Sequence, residues 1–174
     1  MVLATQNPVE YLGTFPLPEA QLDRFFLKVS IGYPSPEDES EMLARFRTNN
    51  PIATLRPVAS AQDIMEIQTR VTQVHVDASL SDYIVALVGE TRQNANLVLG
   101  ASPRVSLGLY RAAQAYAFYQ GRTYVTPDDI QQMAIPVMAH RIVLKQEVKL
   151  KHMTAEDVVR EVVSRVSVPV ARNA

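Results

Sequence analysis

Ser102-Pro-Arg-Val-Ser-Leu-Gly-Leu-Tyr-Arg-Ala-Ala-Gln-Ala-Tyr-Ala-Phe-Tyr-Gln-Gly121 is the stretch on which the fold turns. A serine followed by proline is a helix start: serine suits the N-cap, and proline's missing N–H is tolerated at the first helical position. Val105, Leu109, Ala112, Ala113, Tyr116 and Ala117 then recur at helical spacing along one face. Gly121 supplies the stop. A helix apolar on one side needs neighbours, and the flanking sequence supplies them. Upstream, Ser60-Ala-Gln-Asp63 has capping-box spacing ahead of Ile64, Ile67, Gln68 and Val71. After an extended Val74-His-Val76, a helix from about Ser79 carries Leu80, Tyr83, Ile84, Leu87 and Val88. Downstream, Thr126-Pro-Asp-Asp129 opens a helix bearing Ile130, Met133, Ala134 and Val137, which Pro136 should kink or end. Thr154-Ala-Glu-Asp157 opens a last one with Val158, Val159, Val162, Val163 and Val166. Short connections between one-sided helices predict a small bundle.

The front of the chain reads differently. Met1 to Thr5 is a short apolar run halted by Gln6-Asn7-Pro8, which predicts a strand ending sharply. Pro16 to Arg24 gives one or two helical turns, and Phe25 to Ile31 alternates like a second strand. Gly32-Tyr-Pro-Ser-Pro36 breaks the chain before a helix from Glu37 to Arg47, acidic at its start and basic at its end. Two strands joined by a short crossover would pair in parallel, and parallel sheets need more strands and helices than this segment supplies. The expectation is therefore a mainly α chain in three parts: residues 1–34, the truncated edge of a parallel α/β core with two short strands; residues 35–59, a helix and linker; and residues 60–174, the helical bundle. Met1 is then expected to be an added or internal methionine.

Composition narrows the function. Seventeen basic and eighteen acidic side chains nearly cancel, leaving no field to attract a nucleic-acid backbone or an anionic membrane. Zero cysteines exclude disulfides and thiolate metal sites, and the chain reads as cytoplasmic, with no long apolar run. The basic tail beyond His140 reads as a solvated face, with a docking surface the alternative. There is no Gly-x-x-x-x-Gly-Lys-Ser/Thr loop, no apolar strand ending in paired carboxylates for magnesium, and no Gly-x-Ser-x-Gly elbow. His75, His140 and His152 lack metal-ligand spacing and read as surface or core-edge residues.

Three positions suit phosphate chemistry. Asn7 ends the first predicted strand, where ligands bind in open α/β sheets, and an uncharged amide there could orient a water; capping a turn before Pro8 is the structural alternative. Arg24 closes a short helix, where the dipole favours a cation without any function, or it is a guanidinium offered to a neighbouring subunit's phosphate. Arg104 sits in the first turn of its helix, where a cation is disfavoured unless something negative is near. That partner is a phosphate or a carboxylate such as Glu90.

Read together, Val2-Leu-Ala-Thr-Gln-Asn-Pro8, Glu10, Gly13-Thr14 and Leu17-Pro-Glu-Ala-Gln-Leu-Asp-Arg-Phe25 resemble the stretch after the magnesium-binding strand of MoxR-type AAA+ ATPases. Gly100-Ala-Ser-Pro-Arg104 with Leu107, Val125-Thr-Pro-Asp-Asp-Ile130 and His140-Arg-Ile142 resemble that family's helical lid. The resemblance implies that Asn7 is the sensor-1 residue setting the attacking water, Arg24 the arginine finger acting in trans, and Arg104 the sensor-2 contact to the nucleotide. Arg141 is a further candidate, facing the nucleotide or the subunit boundary. It also implies ATP and Mg2+ as cofactors, held mainly by a front half absent here, and a chain inactive alone. Self-association into a ring, commonly a hexamer, is implied too, with von Willebrand factor A domain proteins and client proteins as partners and neither nucleic acid nor membrane insertion. Where many relatives carry a basic residue before His-Arg-Ile, this chain has Ala139. The competing readings are a non-catalytic helical interaction module and a DNA-associated AAA+ relative.

Overall fold

The computed structural model describes residues 2–6, 17–47 and 50–169. Its elements in chain order are α1 (Glu19–Leu22), α2 (Pro36–Phe46), a 3-10 turn at Pro51–Thr54, α3 (Ala61–Thr72), α4 (Ala78–Gln93), β1 (Leu97–Leu99), α5 (Pro103–Tyr119) and α6 (Pro127–Met138). They continue through a 3-10 turn at Ala139–Arg141, β2 (Val143–Leu144), α7 (Gln146–Leu150) and α8 (Ala155–Arg165). Helices α5 and α6 form the most extensive contact; α4 lies against α5, and α8 closes on both α4 and α6. Their facing stripes make one core in which Leu87, Val105, Leu109, Ile130, Val137 and Val158 are wholly buried. Each such aliphatic side chain removed from water contributes about 1.5–3 kcal/mol, so these stripes dominate the stability of the bundle.

Local chemistry sets where the helices begin. Asp63 accepts from the N–H and hydroxyl of Ser60 while Ser60 accepts from the Asp63 N–H, a complete capping box. Thr154 and Asp157 repeat the arrangement at α8. At α4 the N-cap is Asp77, so the helix begins at Ala78, one residue ahead of the start read from the sequence. At α6 the Asp129 carboxylate accepts from the Thr126 N–H and hydroxyl, and is also gripped by Arg122 through Nη1 at 2.7 Å and Nη2 at 2.5 Å. Burial alone would raise the Asp129 pKa; these donors outweigh it and hold the carboxyl below its ordinary value.

Ahead of α4, Val74-His-Val76 is tied in by backbone: the His75 N–H donates to Thr123 O and the Val125 N–H to His75 O, both at 2.9 Å. Gln114, buried on α5, donates to Val74 O at 2.8 Å. The short antiparallel pair of β1 and β2 matches Leu97 with Leu144 and Leu99 with Val143. Strands of three and two residues carry no periodic signal, which is why neither was expected.

The front departs from its sequence reading. Neither described residues 2–6 nor Phe25 to Ile31 forms a strand; no ladder partner lies beside them among the described residues, and Val29 and Ile31 are 71% and 96% exposed. A strand's backbone groups are satisfied only by a neighbour, so alternation alone does not make one. Helix α3 forms with its predicted caps but buries no residue, although Ile64, Ile67 and Val71 share a face. Pro136 stands inside α6, which ends two residues later, and its carbonyl, in the last turn of the helix, accepts the Lys28 N–H at 2.9 Å.

Candidate functional site

The chemistry gathers where the front of the chain touches the bundle. Helix α1 is a single turn with no buried residue, too short to persist by itself. It continues as a tight turn in which the Arg24 N–H donates to Gln21 O and the Phe25 N–H to Leu22 O. Side chains from two separate parts of the bundle hold this turn on either side of Arg24. On one side, the Asp23 carboxylate accepts from the Ser102 hydroxyl at 3.2 Å and from Arg104 Nη1 at 2.9 Å. On the other, the Phe25 carbonyl bonds His140 Nε2 at 2.9 Å and accepts from Arg141 Nη2 at 2.5 Å. Arg24 between them is exposed, and its side chain makes no hydrogen bond or ion pair among the described residues.

Each of the four residues singled out in the sequence has a definite standing. Asn7 lies outside the described residues. Arg24 is presented to solvent at the end of a short helix. Arg104, in the first turn of α5, is paired with Asp23, not with Glu90, whose Oε1 lies 4.0 Å from Arg165. Arg141 is 7% exposed and turned inward; Nε and Nη1 are buried and find no partner among the described residues. Ser102 adopts the extended backbone of an N-cap, but its hydroxyl donates to Asp23 and accepts no capping bond.

Electrostatics bind these groups into one cluster. Burial lowers the Arg141 pKa, the Asp23 carboxylate opposes that, and the Arg104 charge adds to it. Burial likewise holds His140 below its ordinary value; the bond to Phe25 O opposes this, while the charges of Arg141 and Lys28 reinforce it. Because a carbonyl only accepts, the neutral His140 carries its proton on Nε2.

Two glycines make room. A Cβ on Gly108 would stand 3.0 Å from Arg141 Nη1 and 3.3 Å from Val137 Cγ1, so the guanidinium lies against a notch in α5. A Cβ on Gly100 would meet the Arg92 Cα at 2.7 Å, backbone that cannot give way. That close approach lets the Ala101 N–H donate to Thr91 Oγ1 and Arg92 Nε to Ala101 O, both at 2.9 Å, fixing the entry to α5 from which Arg104 projects. Asp23 and Gly108 were not singled out by sequence reasoning, and His140 was read as a surface or core-edge residue, with no role at the turn. Glycine within an otherwise alanine-rich helix is the one signal that pointed to a close approach.

Comparison with known proteins agrees with this layout. Residues 1–27 match the family described as ATPase family associated with various cellular activities (AAA), and residues 89–162 match the AAA lid domain. The chain is 50% identical to YeaC of Bacillus subtilis (strain 168) over 99% of its length and 54% of that protein's. It is 38% identical to the chaperone MoxR1 of Mycobacterium tuberculosis over 97% of its length and 47% of that protein's. The chain belongs to the MoxR-type AAA+ family. A crystal structure of a putative ATPase from Cytophaga hutchinsonii superposes with a TM-score of 0.87 at 34% identity, covering 95% of this MoxR-type chain and 53% of that one. The chain thus spans about half the length of the relatives it matches. Its bundle is the AAA+ lid, and the turn at Arg24 falls within the part matching the ATPase family. Among the described residues no group of three His, Asp or Glu side chains could hold a metal, and no helix is long and apolar enough to cross a membrane.

Proposed function

We propose that the whole protein hydrolyses ATP at the boundaries between subunits of a ring, commonly a hexamer, and uses the energy to remodel client proteins in the cytoplasm. The observation that carries this is Arg24: a guanidinium without a partner among the described residues, held outward by a turn anchored on both flanks. Such a group suits charge developing on a phosphate supplied from elsewhere. The name of the relative MoxR1, a chaperone, supports the remodelling part of the reading.

In this mechanism Arg24 acts in trans, stabilising the charge of the transferring phosphoryl group on the adjacent subunit's nucleotide. Arg104 acts in cis from the lid. Its side chain is 59% exposed and spends one nitrogen on Asp23, so its remaining N–H groups are free to donate to a phosphate oxygen. Asn7 orients the attacking water. Arg141 supports the cationic side of the cluster from within, holding the Phe25 carbonyl. The donor set fits an anion. It does not fit Mg2+, so the metal and the triphosphate cradle are assigned to the half of the relatives' length outside this chain, and the chain alone is expected to hydrolyse no ATP. A von Willebrand factor A domain protein is the proposed partner class.

The test is Arg24→Ala in the full-length protein, where turnover falls by about three powers of ten or more while ATP binding is kept; undiminished turnover would sink the assignment. A second reading, a non-catalytic interaction module, is favoured by the exposed apolar residues of α2 and α3, among them Leu43, Phe46 and Met65. It predicts no ATP turnover in the intact protein before any mutation.

A further inference from the structure

Asp23 is the one carboxylate in a cluster otherwise made of Arg104, Arg141 and His140, and it stands next to Arg24. We propose that Asp23 is a positioning residue that joins the finger turn to the lid, so that Arg24 and Arg104, serving nucleotides on two different subunits, are aimed as one piece. The inference rests on the roles given above to Arg24 and Arg104.

Helix α1 buries no side chain fully, and with only Leu22 half-buried its apolar contacts hold its direction weakly. Its orientation depends on the bonds on either side of Arg24, and those on the Asp23 side lead straight to the start of α5. The carboxylate uses both oxygens there, one for Ser102 and one for Arg104. The pair is not a stability device: Arg104 is 59% exposed and Asp23 25%, and ion pairs so open to water add little to folding stability. What the pair supplies is direction. A charge-assisted bond fixes the first turn of α5 relative to the residue preceding Arg24, and a displacement of that first turn is carried to the finger across a single residue. The opposite flank works alike, since His140 and Arg141 converge on the one carbonyl of Phe25 and fix the residue that follows. Removing the Asp23 charge would leave Arg104 and Arg141 facing each other without a counter-charge and the finger anchored on one side only.

The experiment compares Asp23→Asn, Asp23→Glu and Arg24→Ala in the full-length protein, measuring kcat, KM for ATP and thermal unfolding. Asparagine keeps the shape but turns a neutral amide toward Arg104. Asp23→Asn is expected to lower kcat by about tenfold or more, because misplaced catalytic groups lose rate steeply, with KM moved by less than about threefold and the unfolding temperature unchanged. Asp23→Glu, which still reaches with a carboxylate, recovers most of kcat. Wild-type kcat in Asp23→Asn alongside an inactive Arg24→Ala would overturn the proposal and leave the finger assignment standing, as would Asp23→Glu being no better than Asp23→Asn. Normal turnover in Arg24→Ala would instead overturn the reading underneath. If Asp23→Asn does not fold, Ser102→Ala removes one hold on the same carboxylate: a kcat lowered about threefold at unchanged KM supports the proposal, and an unchanged kcat refutes it.

Discussion

Helices α3 and α5 both begin at a serine in extended conformation and both are amphipathic, yet α5 buries seven residues and α3 none. The difference lies in what surrounds them. Around α5 the stripes of α4, α6 and α8 close a common core, whereas α3 lies at the margin beside α5 with Ile64 and Ile67 still 41% and 42% exposed. The same contrast divides the molecule: the helices α4, α5, α6 and α8 bury their apolar faces against one another, and ahead of them α1, α2 and α3 bury no side chain fully among the described residues. An amphipathic face states a demand for a partner, and only part of this chain contains both sides of the bargain.

Three measurements can break or sharpen that contrast. The largest effect belongs to the core: Leu109→Ala, at a wholly buried position, is expected to lose about 2–5 kcal/mol in denaturant unfolding. A loss below about 1 kcal/mol would mean that the bundle repacks freely and is no distinct core.

At the seam the expected effect is smaller and depends on pH. Burial depresses the His140 pKa in the folded state, so folding favours the neutral ring. Its contribution to stability is complete above the unfolded value of about 6.5 and is lost as pH falls through the folded one. His140→Gln keeps an amide donor for Phe25 O without a titrating group, and should lose less stability than the wild type between pH 7.5 and pH 5, as read by thermal unfolding. The Asp63, Asp129 and Asp157 carboxylates, held below their usual range, titrate lower and leave this window clear. Equal acid sensitivity in the two proteins would show that the seam contributes nothing.

The smallest effect belongs to the front. Phe46→Ala on α2, at a position 52% exposed, should change stability by no more than about 0.5 kcal/mol. A loss comparable to that of Leu109→Ala would make the front part of the same core.

By itself, the sequence determined what depends on near neighbours along the chain. The starts of α3, α6 and α8 were legible because a cap and its partner are separated by a few residues, that of α5 because proline suits the first helical position, and the buried faces of α4, α5, α6 and α8 because helical periodicity is local. The resemblance around Leu17 to Phe25 and Gly100 to Arg104 pointed to the family for the same reason. Tertiary structure alone decided whether a face found a partner and which charges met. The alternation from Leu27 to Ile31 reads as a strand wherever a neighbouring strand exists, and none stands beside it among the described residues. The partner of Arg104 is 81 positions away at Asp23, and the carbonyl gripped by Arg141 is 116 positions away at Phe25. No spacing rule reaches so far, because contacts of that range are made by the packing of whole helices and not by the geometry of one.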